Sequence, residues 1–219
     1  MSAITSVPES LFYSLIGFLS DICVYIRIPQ LIWVDAMMFY FYNIHHSPSR
    51  QAYERRKIQK PFGELTQGKT PYSVLESAIQ GLHIGPRTVF VDLGSGHGHL
   101  PFYMNFRFKV KSVGIDLVPT YPKVAKKLAE KTAAKHIHFE EADMLFFPLK
   151  GSMYFIAATC LSDDTWEQMT YRFEGIASGA IVISVSRIVD SPRFRQLKTF
   201  KAFFPWGRGT VYVQKKISS

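Results

Sequence analysis

The sequence predicts an α/β fold in which a doubly wound, mostly parallel sheet is covered by helices on both faces. Two observations predict it: short apolar runs rich in β-branched and aromatic residues recur along the chain, and helix-like stretches lie between them. Strands that alternate with helices form parallel sheets, because each crossover returns the chain to the same end of the sheet. Runs that are apolar throughout fit strands buried on both faces.

Seven strands are expected in this sheet. The helices expected between the parallel strands include Thr120–Lys135, with lysines four residues apart, and Asp163–Phe173, with two acids in its first turn. The last run, TFKAFFPWGRGTVYVQKK, predicts two strands joined at Pro205–Gly209 as an antiparallel hairpin. Five parallel strands, the third of them weak, are predicted at Thr88–Val91, Ser112–Ile115, His136–Glu140, Met153–Ala157 and Ala180–Val185.

Residues 1–60 form an apolar, helical N-terminal segment before the main domain at residues 61–219. From Leu11 to Tyr42, 24 of 32 residues are apolar or aromatic, but Asp21, Arg27, Pro29 and Asp35 interrupt them. A transmembrane helix needs about 20 residues with few or no charges, so none is expected. The start of the chain also lacks the basic residues of a signal peptide. Three interpretations stay open: helices broken near Pro29 that pack on the domain, shallow insertion of residues 11–42 into a membrane interface, and an oligomer contact.

Charge is distributed unevenly along the chain. The formal net charge is +9; residues 1–48 carry one base and three acids, whereas the remainder carries 25 bases and 14 acids, a net +11. Basic clusters of this kind either form a solvated surface or attract acidic proteins, nucleic acids or anionic membranes. No run of consecutive bases is combined with stacking aromatics, so the sequence does not favour a nucleic-acid-binding module.

The two cysteines, Cys23 and Cys160, indicate a reducing compartment such as the cytoplasm. They are too few for a disulfide framework, and neither has a nearby His or Cys at metal-ligand spacing. The sequence therefore predicts no metal site, and it favours both cysteines as small buried apolar residues.

The segment VFVDLGSGHGHLPF, residues 89–102, carries the strongest functional pattern. Gly94, Gly96 and Gly98 follow the carboxyl end of the first strand of the sheet, where open parallel sheets bind their ligands. A phosphate loop would need Lys-Ser/Thr after its last glycine, and the third glycine comes one position too early for the dinucleotide fingerprint. Asp92, before the glycines, suits a ligand with a positive amino group or sulfonium better than it suits a pyrophosphate.

Two further acids follow the next strands. Asp116 lies 22 residues after Gly94, the spacing at which an acid meets ribose hydroxyls in such folds. A carboxylate can accept hydrogen bonds from two neighbouring hydroxyls. Asp143 follows the weak third strand, where it can accept the adenine amino group, with Met144 beside the ring. Together these acids predict S-adenosyl-L-methionine as the cofactor.

These motifs resemble those of class I S-adenosylmethionine-dependent methyltransferases, which share a Rossmann-like fold. The resemblance covers about residues 63–186 and lies in VFVDLGSGHG, GIDLVP, EEADM and MYFIAAT. It is strongest to the non-SET histone lysine methyltransferases, named for disruption of telomeric silencing, and to their bacterial and mitochondrial relatives. It implies a seven-strand methyltransferase sheet and the following cofactor-binding residues: Lys69, Thr70, Asp92, Gly94, Ser95, Gly96, Gly98, Asp116, Leu117, Asp143, Met144 and Ala158.

The chain departs from that family at two places. The stretch QGKTPYSVL matches a Tyr-Gly-Glu-Thr loop that grips the amino-acid end of the cofactor; Gly68 and Thr70 are kept, but Gln67 and Lys69 replace the tyrosine and the glutamate. At the end of the fourth strand, Ala157–Ala158 stand where the family has paired asparagines that line the lysine channel.

The resemblance implies a methyltransferase that modifies a protein acceptor, on a lysine. A small molecule, such as a quinone or lipid, is the alternative acceptor, because the apolar N-terminal segment would cover a greasy substrate; a non-catalytic cofactor-binding scaffold is the third hypothesis. No catalytic base is assigned: Asp163–Asp164 are expected to cap a helix, and His97 and His99 to contact ligand or solvent. Three aromatic residues are expected either to pack the hairpin or to surround a lysine through cation–π attraction: Phe203, Phe204 and Trp206.

Overall fold

A computed structural model describes residues 9–45, 48–60, 62–65, 68–132 and 134–217 of the chain. A seven-stranded sheet lies at its centre, with five parallel strands and an antiparallel C-terminal pair, so the predicted fold class is confirmed. The strands are β1 (Val89–Leu93), β2 (Lys111–Asp116), β3 (Ile137–Glu141), β4 (Met153–Ala157), β5 (Ile181–Val185), β6 (Phe194–Phe204) and β7 (Gly207–Lys216). Their spatial order is β3-β2-β1-β4-β5-β7-β6.

The strands lie within one or two residues of the apolar runs that predict them. β4 has the predicted bounds, whereas β1 extends past Asp92 to Leu93. The hairpin turn is shorter than expected, because β7 already begins at Gly207. That residue has a φ of 130°, which a side chain with a Cβ would disfavour.

Seven α-helices are described. They are α1 (Glu9–Arg27), α2 (Gln30–Phe39), α3 (Pro48–Lys57), α4 (Tyr72–Ile79), α5 (His99–Phe108), α6 (Thr120–Lys131) and α7 (Asp163–Glu174). A π-helical turn at Tyr40–His45 follows α2, and 3-10 turns at Phe62–Leu65 and Ala158–Cys160 precede α4 and α7. α6 is shorter than predicted, because the backbone becomes extended at Thr132, with φ −95° and ψ 156°.

The two faces of the sheet have separate cores. α4, α5 and α6 cover one face, where their buried side chains meet Phe90, Phe155 and Val213 of the sheet. α7 covers the other face and packs Met169 and Phe173 against it. The sheet is therefore covered on both sides, as a doubly wound fold requires.

The N-terminal helices form a further layer over the first face. α1 contacts α4 and β6, and α2 contacts α5 and α6. Val24, Leu31 and Val34 are at most 1% exposed and belong to the same buried cluster as the sheet. The two helices are separated at Pro29. Within the described residues, no helix has both the length and the hydropathy needed to cross a membrane.

Asp21 shows why a charged residue interrupts the apolar segment. Its side chain is 2% exposed and accepts hydrogen bonds from the backbone N–H groups of Tyr72 and Ser73, at 3.2 and 2.9 Å. The first turn of α4 leaves these donors without helical partners, and Pro71, which precedes it, has no side-chain acceptor. Asp21 therefore caps α4 from α1 and joins the two helices.

The expectation that both cysteines are buried is wrong. Cys23 and Cys160 are exposed free thiols. Cys23 lies on the solvent side of α1, next to the buried Val24, and Cys160 ends the 3-10 turn that follows β4. Both residues occupy positions that the helical geometry turns outward, which composition alone does not reveal.

Candidate cofactor-binding site

A cleft opens at the carboxyl ends of β1 to β4. β1 lies between β2 and β4, so the strand order reverses there, and open parallel sheets bind ligands at this switch point. The Phe62–Leu65 turn and the loop before α4 close the cleft from outside the sheet. Ten of the predicted cofactor-binding residues line it: Lys69, Thr70, Asp92, Gly94, Ser95, Gly96, Asp116, Leu117, Asp143 and Met144.

Gly98 and Ala158 do not line the cleft. Gly98 precedes α5 with a φ of 87°, and a Cβ at this position would lie 2.5 Å from the ring of Phe139 on β3. The glycine therefore allows α5 to pack closely on the sheet. Ala158 is fully buried behind the end of β4. Any role of these two residues in cofactor binding stays a prediction, and Gln67 lies outside the described residues.

The glycine turn bends the chain away from β1 and leaves room beside it. Gly94 and Gly96 have φ values of 78° and 51°, in the left-handed region that favours glycine. A Cβ added to Gly94 would meet nothing within 4 Å. The carbonyl of Ile115 accepts hydrogen bonds from the N–H groups of Gly94 and Ser95, at 3.0 and 2.7 Å, which fixes the turn against β2.

The polar groups in this turn fit a ligand with a cation and hydroxyl groups. Asp92 is 3% exposed, and burial, together with the nearby Asp116, raises the pKa of Asp92 well above its ordinary value. None of the described basic side chains pairs with Asp92, so a ligand ammonium would supply the missing opposite charge. The buried Oγ of Ser95 has no described hydrogen-bond partner. S-adenosylmethionine offers both kinds of group.

Two carboxylates define the nucleoside half of the cleft. Asp116 accepts hydrogen bonds from the N–H groups of Gly96 and Val118, at 2.8 and 2.9 Å. Burial raises the pKa of Asp116 to about 6, although these bonds oppose the shift. The carboxylate is thus ionised at neutral pH and keeps lone pairs for ribose hydroxyls. Asp143 follows β3 and lies 3.1 Å from the Nζ of Lys60.

The other end of the cleft depends on the N-terminal segment. Asp35 of α2 binds Lys69 and His99, both of which line the cleft: Nζ of Lys69 is 2.8 Å from Oδ2, and Nε2 of His99 is 3.4 Å from Oδ1. The hydroxyls of Tyr25 and Tyr72 donate to the same carboxylate, each at 2.6 Å. Burial opposes ionisation of Asp35, but His99, Lys69 and these bonds lower its pKa below the ordinary value. No local pattern in the sequence links Asp35 to Lys69, so its place in the site is not predicted.

The two histidines of the glycine turn have different surroundings. His99 begins α5 and lines the cleft, and burial lowers its pKa to about 4, so the imidazole is neutral at pH 7. His97 packs inside the protein rather than on the surface. Its ring stacks on Tyr42, with centroids 3.6 Å apart and an interplanar angle of 9°, and burial lowers its pKa well below the ordinary value. The N-terminal segment therefore contacts the glycine turn directly.

The C-terminal hairpin reaches the loop that closes the cleft. Trp206 stacks on the buried Phe204 with ring centroids 4.6 Å apart. A Cβ at Gly68 would overlap the Trp206 ring, so the absence of a side chain lets the indole lie against the loop. The hairpin thus supports the backbone that carries Lys69 and Thr70.

Comparisons of sequence show what this site resembles. Residues 49–156 match the family described as Histone methylation protein DOT1. The histone-lysine N-methyltransferase, H3 lysine-79 specific, of Caenorhabditis elegans is 39% identical over 93 residues, which are 42% of this chain and 10% of that protein. The predicted resemblance to class I S-adenosylmethionine-dependent methyltransferases is confirmed. The matched part spans only about a tenth of the length of this relative.

Solved structures show the same fold. An RNA methyltransferase from Salinibacter ruber in complex with S-adenosyl-L-homocysteine has a TM-score of 0.58 at 21% identity, over 69% of this chain and 95% of that one. TrmN from Thermus thermophilus has a TM-score of 0.58 at 15% identity, over 74% of this chain and 55% of that one. The [4+2]-cyclase SpnF also shares the fold, with a TM-score of 0.55 at 10% identity, over 70% and 85% of the two chains. The fold alone therefore does not define the reaction. The S-adenosyl-L-homocysteine in the Salinibacter ruber structure agrees with the cofactor that the sequence predicts here.

Proposed function

We propose that this methyltransferase transfers the methyl group of S-adenosylmethionine to the side-chain amine of a lysine in a protein. One observation carries the proposal: the match to histone methylation proteins covers residues 49–156, which include most of the residues that line the cleft. The C. elegans relative is named for methylation of a histone lysine, and the similarity to it covers 10% of that protein. The described geometry is compatible with this chemistry.

Methyl transfer depends mainly on alignment. The bound cofactor supplies a methyl carbon that is activated by a cationic sulfur. Asp116 would hold the ribose hydroxyls and Asp143 the adenine amino group, and these two contacts would orient the cofactor within the cleft. An acceptor held within ~3–3.5 Å of the reacting carbon gains ~7–11 kcal/mol of the barrier from orientation alone.

The side of the cleft next to β4 suits the aliphatic part of a lysine, and a carboxylate lies beside it. Glu64 accepts hydrogen bonds from the N–H of Ser162 and the hydroxyl of Thr165, both at 2.9 Å. Burial raises the pKa of Glu64, but these bonds outweigh it and lower the pKa below the ordinary value. Glu64 is therefore ionised and would attract a lysine ammonium, whose proton then passes to water. The apolar residues on this side are Leu65, Ala157 and Leu161.

A small apolar molecule is the second candidate acceptor. It is favoured by the same apolar lining and by Ala157–Ala158, which replace the asparagines of the family that the chain resembles. No amide side chain is present at these two positions to bind a protein backbone or an amine. A small-molecule acceptor would need only to fit into the space between the Phe62–Leu65 turn and β4.

Transfer of labelled methyl groups separates the two candidates. The purified chain is incubated with methyl-labelled S-adenosylmethionine and heat-treated cell lysate, and label is counted in protein and in an organic extract. We expect methyl-lysine in hydrolysed protein, and a yield at least about tenfold lower for Asp116→Asn, which weakens cofactor binding. Glu141→Gln changes an exposed carboxyl at the end of β3 and should leave the yield unchanged. Label confined to the organic extract would assign a small molecule instead, and label on another amino acid would contradict the proposal.

A further inference from the structure

The two N-terminal helices are apolar on the side that faces away from the domain. Half of the exposed large apolar side chains of the described residues lie between residues 18 and 40. A concentration of this kind marks an interaction surface, whereas single exposed apolar residues are ordinary. The side chains of this outer face, each at least 42% exposed, are Phe18, Leu19, Ile26, Ile32, Trp33 and Phe39.

Their spacing places them on one stripe of each helix. Exposed residues on α1 include Leu19 and Ile26, seven positions apart, and those on α2 include Ile32 and Phe39, also seven apart. Seven residues correspond to about two helical turns, so each pair lies on one side of its helix. The buried Leu31 and the other core residues lie on the opposite side. Each helix thus has two apolar sides. The rest of the protein covers one side of each helix and leaves the other side exposed.

The charged side chains of these helices point away from the outer face. Asp21 and Asp35 are bound inside the domain, to α4 and to Lys69. Arg27 pairs with Glu76 on α4, at 2.5 Å. Between residues 16 and 42, where side chains are described, the outer face therefore presents no carboxylate.

α6 supplies positive charge at the edge of this face. It contacts α2, and its Lys123, Lys126 and Lys127 are exposed. The Nζ of Lys131 lies 5.9 Å from the ring centroid of Phe41, in the turn that follows α2. An apolar face without acids and with a cationic edge is complementary to a bilayer interface, in which anionic headgroups surround the acyl chains. Trp33 is also of the residue type that is enriched at this depth.

We propose that the outer face of α1 and α2 inserts into the interface of an anionic membrane. The helices lie parallel to the surface, remain packed on the domain, and place the lysines of α6 at the headgroups. The contact is peripheral, since the buried sides of both helices belong to the protein core. It does not depend on which acceptor the enzyme methylates, so it can fail or succeed independently of the proposed function.

Co-sedimentation of the full chain with vesicles tests this proposal. Vesicles of phosphatidylcholine alone are compared with vesicles that also contain phosphatidylglycerol. We expect binding to the mixed vesicles, and about tenfold weaker binding for Ile26→Glu and for Phe39→Glu, because each loses burial of an apolar side chain. These side chains are 74% and 65% exposed, so the core is undisturbed. Tyr171→Glu, at a 78% exposed position of α7 on the opposite side, is the matched control and should bind like the wild type.

Binding of S-adenosylhomocysteine by each variant verifies that it is folded. A wild-type chain that sediments with neither kind of vesicle overturns the proposal, and so does equal sedimentation of folded Ile26→Glu and Tyr171→Glu. Light scattering without lipid tests the main competing occupant, a second copy of the chain. If the wild-type chain does not bind vesicles but forms a dimer, and Ile26→Glu dissociates that dimer, the outer face is a dimer interface. Substitution of Lys126→Glu together with Lys127→Glu should remove the preference for anionic vesicles.

Discussion

At the scale of single residues, Asp116 should make the affinity of the cleft for its cofactor depend on pH. Burial raises its pKa to about 6, so the side chain is a carboxylate above that pH and a neutral acid below it. Only the carboxylate offers its full set of acceptors to the two ribose hydroxyls. We therefore expect the affinity for S-adenosylhomocysteine to fall as the pH decreases through about 6. Calorimetric titrations from about pH 8 down to about pH 5 would measure this, a range in which ordinary aspartates stay ionised.

Asp116→Asn assigns the pH dependence to this side chain. The variant keeps the shape but loses the charge, so we expect at least about tenfold weaker binding at neutral pH, or ~1.4 kcal/mol. Its affinity should also vary less with pH than that of the wild type. Glu141→Gln, at the exposed end of the neighbouring strand, serves as the control. If folded Asp116→Asn kept the full pH dependence, another buried carboxyl, such as Asp92, would be responsible.

Lys69 yields a prediction about the opposite end of the ligand. Lys69, Thr70 and His99 line this end of the cleft, and the resemblance places the amino-acid part of the cofactor there. S-adenosylhomocysteine has that part, whereas 5′-methylthioadenosine lacks it. We expect Lys69→Met to weaken binding of S-adenosylhomocysteine at least about tenfold, the loss of about one charged hydrogen bond, and to leave methylthioadenosine unaffected. Equal losses for both ligands in calorimetry would instead show that the substitution disturbs the loop.

The sequence predicts that three acids line the cleft, because each acid lies at or just after the carboxyl end of a predicted strand. Asp92, Asp116 and Asp143 come to one edge of the sheet as soon as the strands are parallel. Asp35 could not be predicted in this way. Its partners Lys69 and His99 lie in other elements, and it looks locally like a charge in an apolar helix. Only the packing of α2 on the domain brings the three residues together.

At the scale of secondary structure, the same distinction applies to the helices. The sequence predicts α7 to within one residue, because two acids mark its first turn. The expected cap is corrected: Ser162, rather than Asp163 or Asp164, accepts the hydrogen bond from the N–H of Thr165. α4 was not predicted. Its first N–H groups are capped by Asp21, about fifty residues earlier in the chain, so no local signal marks its start.

Neighbouring residues of α2 test whether this helix is part of the domain core. Leu31 is fully buried, whereas Ile32 is 54% exposed on the outer face. Leu31→Ala should lower the free energy of unfolding by about 2–5 kcal/mol, because it leaves a cavity among packed side chains. Ile32→Ala should change it by less than about 0.5 kcal/mol. Urea unfolding of the two variants measures the difference, and equal effects would mean that α2 does not pack stably on the domain in solution.

At the scale of the whole molecule, α2 lies between the protein surface and the cofactor cleft. Its outer side carries Trp33 and Phe39, while its inner side carries Asp35, which holds Lys69 and His99. In the following turn, Tyr42 stacks on His97 of the glycine turn. The apolar segment and the domain that follows it, which composition separates near residue 60, therefore share one core and one cleft.

This arrangement predicts that cofactor binding stabilises α2 from a distance. A ligand that contacts Lys69 and His99 restricts both side chains, and through Asp35 it should make local opening of α2 less frequent. Hydrogen exchange with and without S-adenosylhomocysteine should then show slower exchange in α2 and little change in α7, which packs on the other face of the sheet. Asp35→Asn removes the charge that pairs with Lys69. In this variant, the cofactor product should still slow hydrogen exchange in the glycine turn, but it should slow exchange in α2 much less than in the wild type. Undiminished protection of α2 in this variant would show that the stacking of Tyr42 on His97, rather than Asp35, couples the helix to the cleft.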